Sequence, residues 1–147
     1  MKKLFALVRA WFGWRPGLRF RCQRCGRCCS WPGSVYFTAA ELARAAAACG
    51  LAQRAFGEQY AVRRLDDDCF ELHATRGCPL LGADRTCRIY DARPLQCSSY
   101  PFWRSNVRNA AARRQLIADC RGTHAGPWHR RATVEARISA DERNETF

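Results

Sequence analysis

Leu4, Leu7, Val8 and Trp11 recur at helical spacing near the start of the chain, with Phe5 and Phe12 beside them and Lys2, Lys3, Arg9 and Arg15 in or around the run. The pattern predicts an amphipathic helix within residues 1–17, closed by the Pro16-Gly17 turn. Its apolar side would cover the domain or meet an anionic membrane surface or a partner, peripheral contact in either case. Residues 20–34 show neither period and read as a loop. Val35, Tyr36 and Phe37 predict a brief strand, after which Thr38 and Glu41 form a capping box that opens a helix through the alanine run. Leu42, Ala45, Ala46 and Cys49 share one face of that helix, and Gly50 ends it. A second helix is predicted over 51–60, with Leu51, Ala55 and Phe56 inward. Two short strands over 61–65 and 69–72 flank Asp66, Asp67 and Asp68, a suitable turn. Residues 77–103 read as loops and turns with one short helix near 91–97. A helix over 110–119 has Leu116 and Ile117 as its main apolar residues, and 127–147 reads as a polar helix or tail with few anchors.

The length of 147 residues suits one compact domain and excludes a multidomain enzyme. Leu, Ile, Val and Phe make up only about 18% of the chain, which together with a net charge of +12 would ordinarily signal disorder. Alanine and ten cysteines fill out the apolar class, so the sulfurs are the available means of organising a core. No run reaches the roughly 20 apolar residues of a membrane-spanning helix. The basic start has the look of a secretion signal, but Arg9 breaks the apolar run and no small-residue cleavage site follows. The segment is therefore read as retained and the chain as cytoplasmic, where cysteines serve as metal ligands or buried thiols more readily than as disulfides.

Cys22, Cys25 and Cys28 stand at every third position, a spacing that lets a tight loop aim three thiolates at one centre. Cubane iron–sulfur loops use it, with a distant fourth ligand, and zinc accepts the same donors, so the ligand type leaves the metal open. Cys29 follows directly. Neighbouring side chains diverge in an extended segment, so one loop could serve two centres. Two centres, one centre with spare thiols, and a disulfide scaffold are the three arrangements considered. Downstream, Cys78, Cys87, Cys97 and Cys120 lie beside Gly, Pro, turns or helix ends, and bring the count to the eight that two all-thiolate centres need. Cys69, in a strand, is an intermediate case, and Cys49 reads as a packed thiol. The three aspartates do not read as a metal site, because adjacent carboxylates point apart.

Two four-thiolate centres would bring the net charge to about +8, with Arg19, Arg21, Arg24, Arg27, Arg88 and Arg93 near the thiolates. His73, His124 and His129 are the only histidines and include no zinc-protease pair, so hydrolysis is not predicted. Twenty-five Lys and Arg against 13 acids, with Trp31, Tyr36 and Trp103 available for stacking, keep nucleic acid as an alternative partner. No recognition helix of known finger spacing accompanies them.

The segments FRCQRCGRCC (20–29), GCPLLGADRTCRIY (77–90) and RPLQCSSYPF (93–102), followed by Cys120-Arg121-Gly122, resemble a bacterial and archaeal family of CxxCxxCC cysteine-cluster domains described as chelating zinc or iron. The likeness covers about residues 18–126. It implies an iron–sulfur cluster or zinc, in one or two centres, held by Cys22, Cys25, Cys28, Cys29, Cys78, Cys87, Cys97 and Cys120. Tyr90, Arg93 and Tyr100 also match family positions, which implies hydrogen bonding toward sulfur or loop shaping. The resemblance implies no reaction. One branch resembles flagellin lysine N-methylases, but those are much longer, and no glycine-rich cofactor loop is present here.

The expectation is therefore a small, mainly helical α+β domain with irregular loops around cysteine-ligated metal, between an N-terminal helix (1–17) and a polar C-terminal segment (127–147). Its function would be metal handling, redox chemistry or protein maturation with an unidentified protein partner. A zinc-stabilised structural or protein-interaction module and a basic nucleic-acid-binding module are the alternatives.

Overall fold

The computed structural model describes residues 17–144, so the predicted helix ahead of Gly17, with its membrane or partner contact, lies outside the described residues. In chain order the elements are β1 (Gly17–Arg19), β2 (Gly33–Phe37), α1 (Ala39–Ala48), α2 (Gln53–Gln59), β3 (Val62–Arg64), β4 (Phe70–Ala74), α3 (Leu95–Ser99), α4 (Arg104–Val107), α5 (Ala110–Asp119), β5 (Trp128–Arg130) and α6 (Arg131–Asn144). Single 3-10 turns lie at Cys28–Ser30, Tyr90–Ala92 and Arg121–His124. The small mixed α/β character matches expectation. No helix among the described residues is long and apolar enough to cross a membrane.

Contacts divide the chain into two units, one of residues 17–23 with 101–140 and the other of 24–100 with 141–144. The segment from 127 onward supplies β5, which pairs antiparallel with β1, and buries Val134 and Ile138, one helical turn apart, in the first unit. Leu18, Phe102, Val107 and Leu116 are also buried there. Phe102 meets Phe20 and His129 edge to face, at 5.6 and 5.1 Å between centroids. Asn109 caps α5 by accepting from the Ala112 N–H.

The second unit has a three-stranded antiparallel sheet, ordered β2-β4-β3. Strand periodicity sends Phe37, Leu72 and Ala74 into a core shared with Leu42, Ala45, Ala46, Phe56, Leu80 and Ile89. Ser34, Arg63, Glu71 and His73 take the other face. Glu71 is buried even so, because Ser34 Oγ donates to it at 2.6 Å and Arg63 pairs with it, and these contacts hold its carboxyl below the usual glutamate range. The capping box forms as predicted: Glu41 N donates to Thr38 Oγ1 at 3.2 Å and Thr38 N to Glu41 Oε2 at 3.0 Å. Asp66, Asp67 and Asp68 close the β3–β4 turn with separate partners, Asp66 accepting from Asp68 N, Asp67 pairing with Arg64, and Asp68 accepting from Ala39 N.

Candidate metal centre

All ten cysteines are free thiols. Gly26 turns the CxxCxxCC run with φ of +67°, after which Ser30 Oγ donates to the Gly26 carbonyl at 2.8 Å. The chain then enters the 3-10 turn at Cys28, and this corrects the expectation drawn for Cys28 and Cys29. Helical backbone, unlike extended backbone, lets adjacent side chains lean together, and the two sulfurs stand 3.9 Å apart.

A hairpin faces this loop. Leu81 and Cys87 form an isolated antiparallel bridge, Arg88 N donates to Leu80 O at 2.9 Å, and Gly82 N to Thr86 O at 2.8 Å. Asp84 accepts from both the backbone N–H and the hydroxyl of Thr86, fixing the turn. Cys78 and Cys87 sit near the two feet of the hairpin. Hydrogen bonds from backbone and from a side chain staple it to the loop: Cys78 N donates to Cys29 O at 2.7 Å, and Arg85 Nε to Cys25 O at 3.2 Å.

Cys97 comes from α3. The single helix predicted over 91–97 is split, because a residue before proline is driven out of helical conformation, and Arg93 is extended with ψ of 142°. A 3-10 turn precedes Pro94 and α3 follows it. Although α3 has no cap from its own neighbours, buried Glu41 Oε1 accepts from Leu95 N at 2.8 Å.

The thiols feel one another. Cys28 is lowered to about 7, first by the hydrogen bond it shares with Cys29, with backbone N–H groups and the Arg93 charge assisting against partial desolvation. Cys29 is raised by that same hydrogen bond, by burial, and by Cys28, Cys78 and Cys87. Burial is the largest cause for the remaining three. It raises Cys78 and Cys87, and it pushes Cys97 up to about 12, with Cys78, Cys28 and Cys87 adding to the shift and Arg93 opposing it. Five of the eight sequence-nominated thiols thus share one electrostatic neighbourhood: Cys28, Cys29, Cys78, Cys87 and Cys97. Among the described residues, no three His, Cys, Asp or Glu side chains are gathered closely enough to hold an ion as they stand.

Cys25 adjoins the group through its backbone. Cys22 and Cys120 belong to the first unit, where Arg21 N donates to Gly122 O at 3.0 Å and so ties the neighbours of both. Cys69 is buried, and its thiol is raised by burial and by Asp66, Glu71 and Asp68, with no cysteine among the causes. Cys49 ends α1, half-buried against the same core as Cys78 and Cys87. Arg93 donates to the Tyr90 carbonyl at 2.6 Å rather than to sulfur, and stacks on the Tyr90 ring at 3.7 Å. Arg24 covers that ring at 3.9 Å with its own backbone at φ of +49°. Tyr100 follows α3 and is half-buried. The sequence reading nominated neither Arg85 nor the Leu95 contact of Glu41, since each partner lies more than fifty residues away and leaves no local pattern.

The donor chemistry fits a thiophilic metal: soft sulfur ligands on irregular loops, with cationic and backbone donors around them. These features define a cysteine-cluster metal-binding domain. The family model described as "Putative zinc- or iron-chelating domain", CxxCxxCC, matches residues 21–121, and the chain belongs to that family. No solved structure matches it.

Proposed function

We propose that this chain binds zinc or iron as a single ion held by four thiolates drawn from Cys28, Cys29, Cys78, Cys87 and Cys97, and that it serves in metal handling. The observation that carries the reading is the Cys28–Cys29 sulfur separation of 3.9 Å. Two thiolates sharing one tetrahedral ion at the usual zinc–sulfur bond length stand about 3.8 Å apart. In a four-iron cluster each cysteine binds its own iron, and two adjacent sulfurs would have to part. Cys28 is exposed, which favours a centre that exchanges its metal over a closed structural one. Cys22, Cys25 and Cys120 complete the eight nominated donors and would come into use if more than one metal binds per chain.

Anaerobic purification followed by metal and acid-labile sulfide analysis tests this. One zinc or iron per chain without sulfide is expected, with release to a competing chelator without unfolding. Stoichiometric sulfide would replace the single-ion reading with an iron–sulfur cluster. A folded protein free of both metals would remove metal binding altogether.

A further inference from the structure

Cys97 rides on a helix of five residues, far too short to hold its own place. Polar contacts flank the cysteine on both sides within this unit. At the N-terminal side, Glu41 divides its buried carboxylate between two helix starts, Oε2 accepting from Thr38 N at 3.0 Å and Oε1 from Leu95 N at 2.8 Å. Immediately before Cys97, the Gln96 side chain lies along strand β2 as another strand would: its Oε1 accepts from Tyr36 N at 2.9 Å and its Nε2 donates to Ser34 O at 3.2 Å. Strand β2 is an edge of its sheet, and Gln96 takes up an N–H and a C=O along that edge. Two residues after Cys97, buried Ser99 donates from Oγ to buried Asp141 at 2.7 Å.

We infer that Gln96 and Glu41 are positioning residues of the metal centre, acting through Cys97 by locking α3 to the β2 edge and to the start of α1. The inference rests on the proposed metal-binding reading and adds to it residues that never touch the metal. Groups that orient a ligand from behind typically change metal affinity by about 10- to 100-fold when removed. Gln96→Ala deletes both contacts with β2 and leaves every sulfur in place. Glu41→Gln is the milder companion, because an amide offers one oxygen where two N–H groups need acceptors, so one bond is lost.

The test is a double-mutant cycle in the full chain. Zinc affinity is measured by competition with a chromophoric chelator for wild type, Gln96→Ala, Cys97→Ala and the double variant, with far-UV circular dichroism on each. Positioning through Cys97 predicts that Gln96→Ala weakens zinc binding by about 10- to 100-fold in the wild-type background and has no further effect once Cys97 is alanine. Glu41→Gln should follow the same rule with a smaller loss, which keeps the test intact if Gln96→Ala folds poorly. Equal loss in both backgrounds would mean a general effect on the fold and would overturn the inference. If wild type binds tightly and Cys97→Ala binds equally well, the inference fails while metal binding stands. If wild type binds no zinc and carries no iron, both fall together.

Discussion

Gly26 and Gly50 make a matched pair of probes. Both sit at φ of +67°, yet a Cβ built on Gly26 would lie 2.7 Å from the Arg85 carbonyl oxygen and 2.8 Å from Leu81 Cδ1, whereas nothing lies within 4 Å of one on Gly50. Alanine in left-handed backbone costs about 1–2 kcal/mol wherever it occurs. The gain from a stiffer unfolded chain is likewise common to both. Gly26→Ala must in addition push against a backbone carbonyl that cannot rotate away, and overpacking of this kind costs about 1–3 kcal/mol. Gly50→Ala should therefore lose about 1–2 kcal/mol and Gly26→Ala about 2–5. The added strain has a direction, since relief comes only by lifting the CxxCxxCC loop from the hairpin that carries Cys78 and Cys87. Zinc affinity should accordingly fall in Gly26→Ala and hold in Gly50→Ala. Urea unfolding of the metal-loaded proteins measures the first difference and chelator competition the second. Equal stability losses, or unchanged zinc affinity in Gly26→Ala, would show that the loop does not rest on the hairpin as described.

Three further outcomes are expected. Cys28→Ala should abolish stoichiometric metal, read by elemental analysis, while Cys69→Ala should keep it and lose about 1 kcal/mol of stability, the ordinary cost of a core truncation. Glu71 has its carboxyl lowered by Ser34 and Arg63, so its ionised form stabilises the fold. That contribution is present above the ordinary carboxylate range and disappears as pH falls through the lowered folded value. The gap in urea midpoint between wild type and Glu71→Gln should accordingly shrink on acidification, and a constant gap would refute the assignment. Chelation of the metal should raise hydrogen exchange at residues 24–30 and 78–88 before it affects β4, because metal binding and local folding are coupled there.

Much of the local structure was legible along the chain because its causes are local. Thr38 and Glu41 are three residues apart and announce α1 by themselves, Gly50 stops it, and the aspartate run turns β3 into β4. Val35-Tyr36-Phe37 and the run over 69–72 marked two of the strands. The cysteine spacing, with the quoted segments around it, identified the family. Other features left no trace of that kind. Three-residue strands such as β1 and β5 are too short to show a period, and their pairing joins residues more than a hundred positions apart. Pro94 is visible in the sequence, yet its cutting of one predicted helix into a 3-10 turn and α3 depended on Arg93 adopting extended backbone.

The sequence by itself determined the donor type, the capped helix, the strand turn and the membership in a metal-chelating family, since spacing and side-chain chemistry are one-dimensional properties. Tertiary structure alone decided which thiols share an electrostatic neighbourhood. Cys28 and Cys29 lie side by side because the chain takes a 3-10 turn there, Cys78 and Cys87 are carried on a hairpin stapled to Cys29, and Cys97 sits on a helix flanked by contacts from Glu41 and Gln96. Cys69 stands apart, buried just ahead of β4 beside Asp66, Asp68 and Glu71. Electrostatic coupling between sulfurs depends on distance in space, and here side chain–backbone and backbone–backbone hydrogen bonds between residues far apart in sequence set those distances.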